Sequence, residues 1–388
     1  MELEYWQLLL LPFFFGLGWM AARVDIRQVV QESRVLPRSY FQGLNFLLNE
    51  QPDKAIDAFL EVAKGDSQTA ELHFALGGLF RRRGETERAI RMHQSLMERD
   101  DLGEDVRLQA LSELGQDYLK AGLLDRAEEV FVKLRDSTLK DEAQHYLLEI
   151  YQVEKDWQKA IDVAGSLPDL YSGKEIAHFH CELATGELMR SRFEAVEQHL
   201  GEALQRHRKC VRASLLQGDM ALQQNRPEAA IEAWQRIEQQ DPAYLSLVAQ
   251  RLLEAYRRLG QAEQGLALLR AYLEHYPSLD LLDSVYQLEL EGGGSAAAYK
   301  LVRTELLRNP SLLGLEKLIG ARLPLVAPET RGDLEMARSI VQGYTRRLAR
   351  YRCDNCGFRA RQFYWRCPAC GGWETYPPRR AEEFDSSL

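Results

Sequence analysis

Apolar positions fall into three regimes along the 388 residues. The first is an unbroken run, YWQLLLLPFFFGLGWMAA, from Tyr5 to Ala22, whose only strongly polar member is Gln7. Its eighteen residues are near the lower limit for a helix crossing a hydrocarbon core of about 30 Å. Trp6 and Trp19 stand near its ends, where interfacial aromatics belong, and Pro12 can be absorbed as a kink. Glu2 and Glu4 precede the run, and Arg23, Arg27, Arg34 and Arg38 follow it, the reverse of a cleaved signal peptide. The pattern predicts a transmembrane anchor over residues 1–22, with the bulk of the chain held on the cytoplasmic side by the positive-inside rule. The second regime, from Pro37 to Pro310, has helical periodicity and almost no strand alternation. There the segments DKAIDAF, ERAIRMH, DRAEEVF, QKAIDVA, FEAVEQH, EAAIEAW, EQGLALL and AAAYKLV align on one small residue. Those residues are Ala55, Ala89, Ala127, Ala160, Ala195, Ala230, Gly265 and Ala298, at intervals of 34, 38, 33, 35, 35, 35 and 33. After a loop marked by Pro324 and Pro328, a stripe of Leu334, Ala337, Val341, Tyr344 and Leu348 predicts a terminal amphipathic helix over 332–350 whose apolar side caps the last repeat. Its basic end runs straight into Cys353, so the segment that follows is expected to dock on the repeats rather than hang from a loose tether. The third regime, residues 351–378, is too short to bury a core of its own.

The repeat resembles the tetratricopeptide repeat, a helix-turn-helix unit of 34 residues. Gly43, Gly77, Gly115 and Gly218 stand twelve residues before the small residue, where paired helices approach closely. Phe46, Phe80, Tyr118, Tyr151 and Tyr256 stand nine before it, and Pro242, Pro277 and Pro310 twelve after it, each ending a second helix. Unit four departs, with Leu148 in the glycine position. One unit cannot bury its own apolar face, so the resemblance implies an all-α, right-handed solenoid over 37–331, of eight or nine units, with a concave surface that binds peptides or protein surfaces. On that register the groove floor includes His145, Glu149, His180, Glu187, Arg212, Asp219, Glu254 and Arg257, with Arg212 and His180 expected at exposed positions.

Four of the six cysteines lie in the third regime as two Cys-x-x-Cys pairs, Cys353 with Cys356 and Cys367 with Cys370. Each pair offers two thiolates to one tetrahedral ion, so the spacing predicts one Fe or Zn per chain, and the metal would supply most of the segment's folding free energy. Gly357 and Gly371 follow the second cysteine of each pair, where a turn toward the sulfurs needs positive φ. Cys181 and Cys210, inside helical patterns, read as core hydrophobes. Charge separates the segment from the body: the chain carries −9, yet nine arginines against Asp354 and Glu374 make residues 343–380 +7, leaving −16 elsewhere. Arginines beside a bilayer meet anionic headgroups or an acidic protein surface. A nucleic-acid reading from the interleaved Phe358, Phe363, Tyr364, Trp365 and Trp373 is the weaker one for an anchored chain.

No HExxH, phosphate-binding glycine loop or Gly-x-Ser-x-Gly occurs, and the eight histidines are scattered, so the sequence offers no catalytic constellation. The CDNCGF and CPACGG loops resemble those of rubredoxin and the zinc ribbons. An electron carrier would need an exposed metal edge and a redox partner, and this segment is basic where rubredoxins are acidic. Anchor, repeats and ribbon, in that order, are similar to the lipopolysaccharide assembly protein B family. The resemblance implies an inner-membrane adaptor that controls lipopolysaccharide synthesis. It would work with an FtsH-type membrane protease that degrades the deacetylase committing precursors to lipid A, and would gather other lipopolysaccharide synthesis or transport proteins. It also implies Cys353, Cys356, Cys367 and Cys370 as metal ligands and residues 379–388 as a tail. A membrane-attached scaffold for another envelope complex is the alternative.

Overall fold

A computed structural model describes residues 38–49, 51, 54–59, 70–100, 102–166, 173–346 and 351–380. The expected anchor at residues 1–22 and the tail from 381 lie outside them. Among the described residues no helix is long and apolar enough to cross a membrane. The chain divides into two compact units, Met1–Ile150 and Tyr151–Leu388.

Both units are built from helical hairpins. In the first, Arg38–Leu48 is followed by helical residues 54–59, then Ala70–Arg82 pairs with Thr86–Met97 and Glu104–Lys120 with Leu124–Lys133. The helix Lys140–Glu154 runs across the division. In the second unit Trp157–Gly165 precedes the pairs Gly173–Met189 with Phe193–Arg206, Val211–Gln223 with Pro227–Gln235, Leu245–Arg258 with Ala262–His275, and Leu279–Gly292 with Gly294–Arg308. A last pair, Leu312–Arg322 with Pro328–Thr345, follows. The terminal helix therefore starts four residues earlier than its apolar stripe suggests, because Pro328 takes its first turn, where a missing N–H costs nothing.

The glycine positions do what their spacing implies. A Cβ on Gly115 would lie 2.7 Å from the Phe131 ring, and one on Gly218 2.1 Å from Trp234 Nε1. Trp234 is fully buried and its indole donates to Leu215 O at 3.1 Å. In the second hairpin of the first unit the facing residue is His93, wholly buried, with Nδ1 2.5 Å from Asp117. Arg81 bridges Asp117 at 2.8 Å and Glu113 at 2.7 Å, so the buried carboxylate is paired rather than stranded.

One register differs from the sequence alignment. Ala195 is half-buried whereas Val196 is wholly buried, so Val196 is the true counterpart of Ala160 and Ala230. Ala184 then stands in the glycine position and Leu200 in the place of Phe131 and Trp234, four after the small residue, both in one core cluster. The turn marks the same register. Seven of the turns between described helices hold one left-handed residue, at Gly84, Gly122, Lys155, Ser191, Asn225, Gly260 and Gly294, and Ser191 precedes Val196 by five as Gly122 precedes Ala127.

Candidate metal centre and its dock

Residues 351–380 fold as two similar knuckles. In the first, Cys353 N–H donates to Phe358 O at 2.8 Å and Gly357 N–H to Cys353 O at 2.9 Å. In the second, Cys367 N–H donates to Gly372 O and Gly371 N–H to Cys367 O, both at 2.9 Å. Gly357 and Gly371 have φ of 74° and 71°, the conformation that admits glycine at no steric cost. Strands Tyr351–Arg352 and Arg359–Ala360 pair antiparallel around the first knuckle, and an isolated bridge joins Arg366 to Trp373 around the second.

This arrangement brings the four sulfurs within 4.8 Å of one another, with Cys353–Cys370 at 3.8 Å and Cys356–Cys367 at 3.7 Å. A tetrahedron with metal–sulfur bonds of about 2.3 Å has edges of about 3.8 Å, so the donor set fits one Zn or Fe ion. Burial opposes ionisation of Cys353, but hydrogen bonds from Thr375 and from the Cys356 and Asn355 N–H groups outweigh it and lower the thiol to about 6. At Cys353 the turn thus stabilises the anion that a metal needs, whereas burial and the facing Cys353 thiol raise Cys367. Cys353 and Cys367 are buried; Cys356 and Cys370 face solvent.

The ribbon sits on the first helices of consecutive hairpins in the second unit. Trp373 stacks on His178 with ring centroids 4.8 Å apart and 16° between planes. It meets Phe179 and Trp157 edge-on at 6.0 and 6.2 Å, and its indole donates to Gln152 Oε1 at 3.4 Å. Trp365 lies parallel to Tyr244 at 5.4 Å, with the Arg212 guanidinium 5.8 Å from its ring. Glu374 takes hydrogen bonds from His178 Nε2 and Lys174, each at 2.8 Å. Asp280 accepts from Tyr351 OH at 3.2 Å and Arg380 Nε at 2.7 Å.

Burial on the supporting helices records the same contact. Ile176 to Cys181 and Val211 to Leu216 are each six consecutive buried residues. An amphipathic surface helix leaves one side in water; these are covered on both, by neighbouring repeat helices and by the ribbon.

The sequence-derived sites separate accordingly. The four cysteines come together. Arg212 and His180 are buried, against the expectation of exposure: Arg212 pairs with Glu182 at 2.8 Å beneath Trp365, and His180 lies against His199 at 3.4 Å. Glu187 is tied to Arg190 and Arg192, Asp219 to Arg251, Glu254 to Arg258 and Arg257 to Glu291. In the first unit His145 and Glu149 are exposed on Lys140–Glu154, the helix that also contributes Glu142 to a cleft of about 360 Å³ lined by Asp105, Leu108, Gln109, Ser112 and Glu113. Trp365 and Trp373, offered above as base-stacking aromatics, have their faces occupied by Tyr244 and His178. The dock residues Gln152, Lys174, His178, Tyr244 and Asp280 escaped the sequence reading. The one signal, for Lys174 and His178 alone, is a helix with few polar positions between Ile176 and Cys181. Cys181 and Cys210 are core residues, and their sulfurs lie 3.8 Å apart.

Helical hairpins of this period with a four-thiolate knuckle define a tetratricopeptide-repeat protein bearing a rubredoxin-type ribbon. Residues 42–92 and 181–244 match the tetratricopeptide repeat family, and residues 351–378 match the family described as the rubredoxin metal binding domain. The chain is 38% identical over 379 residues to lipopolysaccharide assembly protein B of Escherichia coli K12, covering 96% of this chain and 97% of that one. It is 31% identical over 394 residues to the protein of the same name from Haemophilus influenzae, covering 97% and 98%. This chain belongs to the lipopolysaccharide assembly protein B family. Among solved structures, the C-terminal part of a TPR repeat-containing protein from Cytophaga hutchinsonii aligns at 14% identity with a TM-score of 0.41, over 60% of this chain and 94% of that one.

Proposed function

We propose that the chain is an inner-membrane adaptor regulating lipopolysaccharide biosynthesis. Anchored by residues 1–22, it presents its repeats and ribbon to the deacetylase that commits precursors to lipid A and to an FtsH-type membrane protease that degrades it, and it gathers other lipopolysaccharide assembly proteins at the same place. Family membership supports the setting. The observation that carries the adaptor reading is the seating of the ribbon on the repeat helices through Trp373–His178 and Trp365–Tyr244, which makes metal knuckle and repeats one composite surface. Clients would meet exposed groove positions such as His145 and Glu149 in the first unit and Glu254 and Arg257 in the second. Anchoring raises the local concentration of both parties, so modest contacts suffice.

The test is charge reversal at Glu254 and Arg257 in the full chain, read as co-purification of the deacetylase and its half-life in cells. Loss of co-purification and a longer half-life, with helicity unchanged, is the expected result. Binding that survives this variant and the matching pair at His145 and Glu149 would exclude the groove as the client surface. Exposure of Cys356 and Cys370 favours one second reading, rubredoxin-like electron transfer. It requires iron and a reversible visible absorbance change on reduction; a zinc-filled protein with full activity eliminates it.

A further inference from the structure

The terminal helix Pro328–Thr345 carries two apolar faces where capping needs one. Leu334, Ala337 and Val341 are half-buried on the side that packs against Leu312–Arg322, where Arg338 bonds Glu316 at 2.9 Å. Met336, Ile340 and Tyr344, spaced by four, form a second stripe that is 61%, 59% and 64% exposed, so Tyr344 lies off the capping stripe on which its spacing places it. Scattered exposed apolar residues are ordinary; three in register on one helix face form a continuous surface. Charge is polarised along the same helix. Glu329, Asp333 and Glu335, against the single Arg331, are confined to its first two turns, whereas exposed Arg346 closes it and the strand arginines Arg352 and Arg359, with Arg361 just beyond them, come next among the described residues.

An apolar stripe running into arginines, on a helix of otherwise low hydrophobicity, is the signature of a segment lying in a membrane interface. We infer that the second half of this helix, Met336 to Arg346, rests on the anionic surface of the bilayer, Met336, Ile340 and Tyr344 entering the headgroup boundary and Arg346 meeting lipid phosphates. A protein partner of the same face would need acidic groups beside an apolar patch; a bilayer of anionic lipid offers both over any orientation of the helix. The inference rests on the proposed anchoring by residues 1–22, which keeps the chain beside a bilayer and makes a stripe of only three side chains sufficient. The contact would fix the orientation of the second unit relative to the membrane, which an anchor alone leaves free.

The test reconstitutes the full chain in nanodiscs containing a trace of photoactivatable phosphatidylglycerol or phosphatidylcholine, with adducts mapped by mass spectrometry. Adducts within residues 336–346 are expected, about fivefold more from the phosphatidylglycerol probe for one arginine at the surface. Met336→Ser, Ile340→Ser and Tyr344→Ser together should abolish them while labelling of residues 1–22 stays unchanged. Adducts confined to residues 1–22, or equal labelling of 336–346 by both probes, overturn the inference and leave the anchor standing. Failure of the chain to enter the discs overturns both. Cross-links between the 336–346 segments of two chains, without lipid adducts, overturn it in favour of a contact between copies.

Discussion

Burial alone would push the Glu374 carboxyl up, yet hydrogen bonds from His178 and Lys174 hold it down at about 2. Because its folded value lies below the ordinary 4.5, its contribution to docking is complete above that pH and disappears as pH falls toward 2. The shift corresponds to about 3 kcal/mol at most. His178 acts in the same direction. Burial lowers its pKa from 6.5, so an undocked imidazole takes a proton more readily than a docked one and acid favours release. Glu374→Gln should therefore weaken the dock at neutral pH and flatten its loss between pH 4.5 and 2, followed through fluorescence of Trp365 and Trp373. An unchanged acid profile would remove Glu374 from the account. The turn residues make a separate case. Ser191 and Asn225 both hold positive φ, 57° and 58°, which costs a serine about 1 kcal/mol or more and an asparagine less, since its side chain suits that region. Ser191→Gly should raise stability by about 1 kcal/mol and Asn225→Gly by a smaller amount, measured by denaturant unfolding.

Hairpin packing depends on a size match between two helices. Gly218 faces Trp234, and a methyl group there would meet the indole nitrogen at 2.1 Å with no solvent to move into. Gly218→Ala should cost roughly 1–3 kcal/mol in thermal unfolding, the penalty of overpacking a filled core. This glycine, its aromatic partner and the small residue after the turn were legible because periodicity and helix packing fix them together. The register of the fifth hairpin was not. Ala195 and Val196 are adjacent and both small enough for the site, and only the left-handed turn at Ser191 and the burial of Val196 distinguish them. The residues of the dock were invisible for a related reason. A groove residue such as Arg212 has the same polar signature whether it faces water or lies under Trp365, since the covering segment is more than 150 positions away in sequence.

At the scale of the molecule, an acidic body and a basic metal knuckle read from the sequence as two modules with the knuckle expected to dock on the repeats, and in the second unit the knuckle is seated on them. The cysteine spacing was sufficient to name the metal ligands, because four thiols in two turns have few other uses; it said nothing about where the knuckle rests. Cys353→Ser with Cys356→Ser should release about one metal ion per chain, since two thiolates cannot complete a tetrahedral site, while far-ultraviolet ellipticity stays near that of the parent because repeat stability is set mainly by neighbours. The account's central claim is that the metal-folded ribbon is part of the repeat surface. Hydrogen exchange of residues 173–180 and 211–216, compared between the metal-loaded chain and this double variant, tests it most directly. Faster exchange there and throughout 351–380, with helices Ala70–Arg82 and Glu104–Lys120 unchanged, is the result the account predicts; equal protection of 173–180 and 211–216 in the two proteins would contradict it.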